Sequence, residues 1–118
     1  MIIENLNLGI DIVDIERFKK TSYKKNKNFY DKIFNESEID YCLKFKDSYR
    51  HFAGKFAIKE ATKKSFSKKI AFLQIETSHI QNKPVVKVKN NHDYTFLVSL
   101  SHEKTMAIAV VLSEKIID

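Results

Sequence analysis

The chain has 118 residues, is 43% hydrophobic and carries a net charge of +6. That length suits one domain spanning residues 1–118, with about two-thirds of the unfolded surface buried on folding, and no stretch approaches the ~18 consecutive apolar residues of a membrane span. The lone cysteine, Cys42, excludes an intrachain disulfide and suits a reducing cytoplasm, and residues 1–8 hold Glu4 but no basic residue, unlike a secretion signal.

Leu6, Leu8, Ile10 and Ile12 alternate with Asn7, Gly9, Asp11 and Val13, and this period of two predicts a strand with Asp11 on the face opposite the Leu/Ile row. Asp14 is a plausible N-cap for a helix reaching about Lys25. Phe29, Tyr30, Ile33 and Phe34 recur at helical spacing, and Asn35 followed three residues later by Glu38 has capping-box spacing, which predicts a helix over roughly 36–46. Tyr49 to Phe66 carries two helical rows. One is Phe52, Phe56, Lys59, Lys63 and Phe66; the other is Ala53, Ala57, Glu60, Ala61 and Lys64, whose small residues allow close approach to another element. Phe72 to Ile80, Pro84 to Val88, Tyr94 to Leu100 and Thr105 to Leu112 read as strands, the last two as a hairpin. One strand, then helices, then several antiparallel strands is an α+β arrangement: an antiparallel sheet packed against helices.

Charge is uneven along this framework. Residues 1–16 hold four acidic side chains and no Lys or Arg, whereas Arg17, Lys19, Lys20, Lys24, Lys25, Lys27 and Lys32 follow against Asp31 alone. Such a block is either a solvated face or a docking surface for something anionic. Asp11 on the Gly9 side of a strand, and Glu60 in an alanine row suited to packing on that strand, form a pair of oxygen ligands with open positions. That is the kind of set Mg²⁺ takes, filling the remainder with water and substrate phosphate. Lys64 is one turn from Glu60, placed either for an i, i+4 ion pair or for a phosphate beside the metal.

Gly9-Ile10-Asp11-Ile12-Val13-Asp14-Ile15-Glu16-Arg17 resembles the opening motif of the holo-acyl-carrier-protein synthases, small members of the 4′-phosphopantetheinyl transferase superfamily. Phe52 to Ala61 with Lys64 resembles the second motif, a Lys-Glu-Ala core with a lysine four residues after the glutamate, and Val98 to His102 resembles the third, a strand ending in Ser-His. Asn35 to Asp40 is similar to the family's Ser-Glu-Leu-Asp helix start. The resemblance implies a 4′-phosphopantetheinyl transferase-like fold and transfer of the phosphopantetheine arm of coenzyme A to a serine of an apo acyl carrier protein, releasing adenosine 3′,5′-bisphosphate. It implies Asp11 and Glu60 as Mg²⁺ ligands and Lys64 as a second positive charge at the phosphates. Lys55, His102, Arg50 and Lys59 become coenzyme A contacts, with His102 at the 3′-phosphate; the alternative for Lys59, which lies on the Phe row, is that its stem covers the core. Arg17, Lys20 and Lys24 become contacts to the acidic carrier protein, and the enzyme becomes a cytoplasmic homotrimer with active sites between subunits. No side chain stands out as general base.

Three positions depart from the family pattern. Lys55 stands where arginine is usual, which keeps the charge but loses a bidentate fork. Asn82 replaces a turn glycine, and asparagine tolerates the left-handed conformation. Residues 65–69 lack a customary glycine. Two rival readings are a small basic nucleic-acid-binding domain, supported by the Lys-rich, aromatic segment 18–34, and a carrier-binding module without turnover.

Overall fold

The computed structural model describes residues 4–66 and 68–116; the beginning of the segment read against a secretion signal, residues 1–3, and Ser67 in the glycine-free connection lie outside the described residues. Strand β1 (Leu6–Asp14) is followed by helices α1 (Ile15–Lys20), α2 (Lys27–Asp31), α3 (Glu36–Leu43) and α4 (Ser48–Ser65). Strands β2 (Ile75–Ile80), β3 (Lys83–Val88), β4 (Tyr94–His102) and β5 (Met106–Lys115) complete the α+β order expected from the sequence. All pairings are antiparallel, but the strands divide into a three-stranded sheet of order β1-β5-β4 and a β2-β3 hairpin. None of the described helices is long and apolar enough to cross a membrane.

In β1 the alternation is real and its apolar row faces outward. Leu8, Ile10 and Ile12 are 68%, 60% and 59% exposed, whereas Gly9 and Val13 are buried and Asp11 lies half-buried beside them. The inner face is decided by α4, which lays Ala53, Ala57 and Ala61 against Gly9, Ala107 and Ala109. Small residues on both surfaces bring the helix axis close to the sheet. The opposite side of α4 buries Phe52 and Phe56 in an aromatic cluster with Phe18, Tyr30 and Phe34, whose ring centroids lie 4.7–6.4 Å apart.

Asp14 caps α1 as expected, accepting from the Glu16 N–H at 3.0 Å, but the helix expected to reach Lys25 ends at Lys20. Burial explains the stop: Tyr23 turns inward to stack on Phe52 at 6.3 Å, and the Tyr30 hydroxyl donates to the Thr21 carbonyl, so the chain reverses after Lys20. Helix α3 likewise ends at Leu43 rather than near residue 46. The strand expected from Phe72 opens instead with a 3₁₀ turn over Phe72–Gln74, whose Gln74 side chain accepts from the Ala71 N–H at 2.8 Å.

The β2-β3 connection is a two-residue turn, since Ile80 pairs with Lys83. Gln81 and Asn82 take φ of 52° and 65°, the double left-handed conformation of a type I′ turn. Asparagine suits this geometry and glutamine does not. Replacing Gln81 with glycine is expected to raise unfolding stability by about 1 kcal/mol, measured as a higher urea midpoint at unchanged slope.

Candidate active site

A Cβ added to Gly9 would lie 1.9 Å from the Ala61 carbonyl oxygen, so α4 touches β1 backbone to backbone there. This contact brings the last turns of α4 to Ile10 and Asp11. Lys64 Nζ donates to the Ile10 carbonyl at 2.9 Å and to Asp11 Oδ1 at 3.1 Å. The i, i+4 pairing of Lys64 with Glu60, one of the two arrangements open in the sequence, is therefore not formed. Two acceptors on the adjoining strand, the Ile10 carbonyl and the Asp11 carboxylate, hold the ammonium instead. Asp11 is sheltered, its side chain 15% exposed, while Lys64 is half open to solvent. Glu60 is half-buried in the alanine row, and no described group hydrogen-bonds to its carboxylate.

These residues fit a magnesium ion by the chemistry of the donor set. Asp11 and Glu60 are hard oxygen ligands, and Glu60 has spare lone pairs. No group of three or more His, Cys, Asp or Glu side chains converges among the described residues, so Asp11 and Glu60 would hold the ion as two carboxylates, with its other positions taken by water and phosphate.

Lys59 departs from expectation. It is fully buried, and its ammonium donates to Glu38 Oε1 at 2.7 Å, the Ile33 carbonyl at 2.8 Å and the Phe72 carbonyl at 3.2 Å. With all three protons committed it serves as a core anchor instead of the coenzyme A contact the resemblance implied. Glu38, read from sequence as a capping residue, does accept the Asn35 N–H at 2.7 Å, but its carboxylate also takes the Thr77 N–H at 2.8 Å and the Thr77 hydroxyl at 2.5 Å. Burial pushes the Glu38 carboxyl up; the Lys59 ammonium and these hydrogen bonds outweigh it and hold the group below its usual range. Burial likewise lowers the Lys59 ammonium, against the opposing pull of Glu38.

Lys55, also buried, donates to Thr77 Oγ1 at 2.9 Å and lies over the Tyr41 ring at 4.8 Å. Its ammonium stays on the wall of a cavity of about 150 Å³ between α3, α4, β2 and β4. Neighbouring Cys42 is no nucleophile, since burial pushes its thiol up to about 12.

His102 reaches the same cavity from the end of β4, resting against Gly54, where an added Cβ would lie 2.8 Å from Nε2. Sheet register places His102 opposite Ala107 and Asp11 opposite Ala109, with α4 in contact with both flanking strands. Gly54 and Ala61 are two helical turns, about 10 Å, apart along α4. Arg50 sits beside this cluster, paired with Asp47 at 3.6 Å. Arg17, Lys20 and Lys24 are exposed on α1 and the turn after it, and the Arg17 guanidinium lies over the Phe56 ring at 5.3 Å. Sequence reasoning missed His51 and His79, which line the cavity with His102. Neither stands in a motif, and their convergence arises from the packing of α4 against β2.

Residues 7–111 match the family model of the 4′-phosphopantetheinyl transferase superfamily. The holo-acyl-carrier-protein synthase of Thermodesulfovibrio yellowstonii is 36% identical over 109 residues, covering 89% of this chain and 95% of its own. That of Mycoplasma capricolum is also 36% identical, covering 92% and 94%. The chain belongs to the holo-acyl-carrier-protein synthases. Two solved structures of the family share its fold. The Bacillus anthracis synthase, in complex with CoA (3′,5′-ADP), has a TM-score of 0.80 at 28% identity over 92% of this chain and 96% of its own. The Helicobacter pylori synthase, in complex with coenzyme A, has a TM-score of 0.77 at 33% identity over 91% and 99%.

Within this synthase chain the Glu38–Lys59 pair joins α3 to α4, and Thr77 brings in β2. Glu38→Gln leaves a buried ammonium without its counter-ion, and is expected to cost about 3–5 kcal/mol of unfolding free energy. The double variant Glu38→Leu/Lys59→Met is expected to cost less than Glu38→Gln alone, as read by urea denaturation of the three proteins.

Proposed function

We infer that this chain, as one transferase domain, moves the 4′-phosphopantetheine arm of coenzyme A to a serine of an apo acyl carrier protein, with Mg²⁺, releasing adenosine 3′,5′-bisphosphate. The observation that carries this reading is the seating of α4 on β1, which sets Asp11, Glu60 and Lys64 on adjoining elements, with Lys64 Nζ 3.1 Å from Asp11. The family and the coenzyme A complexes of its relatives support the donor.

In the reaction the serine oxygen forms a bond to the β-phosphorus of coenzyme A. The bond from that phosphorus to the bridging oxygen breaks, adenosine 3′,5′-bisphosphate leaves with that oxygen, and the serine proton passes to solvent. Asp11 and Glu60 would hold Mg²⁺, which supplies neutralisation of the diphosphate charge. Lys64, already held beside Asp11, offers a further positive charge to the transferring or leaving phosphate. The Lys55 ammonium and His102, with the Arg50 guanidinium beside them, would take the 3′-phosphate. Arg17, Lys20 and Lys24 steer an acidic carrier, which affects association rate and salt sensitivity more than the chemical step. The buried, unreactive Cys42 accords with a cytoplasmic protein.

A homotrimer is the proposed assembly, supported by the outer face of the sheet. Leu8, Ile10, Ile12 and Leu97 project there, Leu97 being 70% exposed, with Leu112 between Leu8 and Leu97 and Val110 beside Ile10. A contiguous apolar patch of this kind marks an interface. Ile10→Lys is expected to lower the assembly mass in light scattering to that of the single chain.

The test of the reaction is intact-mass spectrometry of an apo carrier incubated with coenzyme A, Mg²⁺ and the protein. The carrier is expected to gain one phosphopantetheine arm. Glu60→Gln and Asp11→Asn are each expected to slow this about a thousandfold, the factor produced by losing several kcal/mol of charge stabilisation, and EDTA to abolish it. An unmodified carrier in the presence of bound coenzyme A would refute transfer.

A further inference from the structure

Three histidines from three separate elements line the 150 Å³ cavity: His51 of α4, His79 of β2 and His102 of β4. Lys55 and Thr77 share its wall, and among the described residues no carboxylate does. The rings are held by stacking, His51 on Phe45 at 3.7 Å and His79 on Tyr41 at 4.8 Å between centroids. A cation is not the natural occupant. The Lys55 ammonium opposes one, and the three rings surround a volume without meeting at a point, since no metal-ligating group of three converges among the described residues.

We propose that His51 and His79 act with His102 as the residues that read a phosphate monoester dianion, and that these rings take up protons as the dianion binds. The proposal rests on the transferase reading above, in which the monoester is the 3′-phosphate of coenzyme A. It adds two residues outside the three motifs and a dependence of donor affinity on pH.

The electrostatics of the cavity support it. Burial holds all three imidazoles below their ordinary range. Arg50, His102 and His79 add repulsion at His51, against Asp47, whose Oδ1 lies 3.7 Å from His51 Nε2. Lys55 adds repulsion at His79. At His102 the Arg50 charge adds repulsion, while Asp47 and a hydrogen bond with the Arg50 backbone oppose it. From α3, Glu38 and Cys42 act on Lys55, and Asp40 and Lys44 stand at the adjoining mouth beside Tyr41 and His79. Burial and the neighbouring cations therefore disfavour the protonated rings in the free protein, which lets three of them share one cavity with an ammonium. A dianion reverses the balance: it favours the protonated rings, and each protonated ring donates a charge-assisted hydrogen bond. Affinity for the monoester should then rise as pH falls from about 7.5 to about 6, where the phosphate itself begins to take a proton.

The test is isothermal titration calorimetry with coenzyme A and with 3′-dephospho-coenzyme A, at pH 7, in two non-phosphate buffers of different ionisation enthalpy. Coenzyme A is expected to bind with net proton uptake and the dephospho form with none. His51→Gln and His79→Gln should each reduce the uptake and weaken coenzyme A about tenfold, the loss of one charge-assisted hydrogen bond, while leaving dephospho-coenzyme A unchanged. A merely structural role would weaken both ligands alike and would overturn the proposal. So would equal proton uptake for the two ligands, or wild-type uptake in both variants. Coenzyme A binding without uptake removes the proton coupling and leaves the transferase reading standing; no binding of coenzyme A removes both.

Discussion

The Ala61 carbonyl lies over Gly9 so closely that a single methyl group there would sit 1.9 Å from its oxygen. The separation of α4 from β1 is set at that point. With any side chain at position 9 the helix would have to lift from the strand, and Lys64 would leave the Ile10 carbonyl and Asp11. Glycine is required here for close approach, not for an unusual backbone angle. The alanines flanking the contact, Ala57 and Ala61 on the helix and Ala109 opposite Asp11, extend the same closeness along the interface. The site thus depends on missing bulk as much as on its charged groups.

A second constraint fixes the rest of α4. The Glu38–Lys59 pair is buried with every lone pair and proton engaged, so α3, α4 and β2 are held in one relative position. Thr77 links that pair to Lys55 by its hydroxyl, and Lys55 lines the histidine cavity. A polar network of this kind specifies geometry only when it is fully satisfied, and no buried side-chain nitrogen or oxygen among the described residues lacks a partner. One helix therefore carries two separately anchored regions, a carboxylate end on β1 and an imidazole end near β4.

Much of this was legible in the sequence because local rules and burial agreed. The Asp14 cap, the alanine row of α4, the left-handed Asn82 and the β4-β5 hairpin each followed from a residue type at its own position. What escaped was decided between elements distant in sequence. The alternation in β1 shows two faces, and the alanine row of α4 pointed to the Gly9 side as the one it covers; what covers the exposed Leu/Ile row on the other face is not written in the strand. Lys59 shares a row with phenylalanines, a sign that a buried cation needed a counter-ion. Its partner lies 21 residues away and already had a local role as the cap of α3. Helix α1 stops early because Tyr23 is drawn into the aromatic cluster, an outcome the intervening lysines hide. The meeting of His51, His79 and His102 requires the final packing of α4, β2 and β4 and has no signature in any one segment.

The proposed transfer depends on close packing of α4 on β1 to make one metal site from Asp11 and Glu60. Electron paramagnetic resonance of Mn²⁺, titrated into the protein in the presence of coenzyme A, tests it most directly. One bound Mn²⁺ per chain is expected, with loss of that ion in Asp11→Asn and equally in Glu60→Gln. Retention of Mn²⁺ in either variant would contradict it.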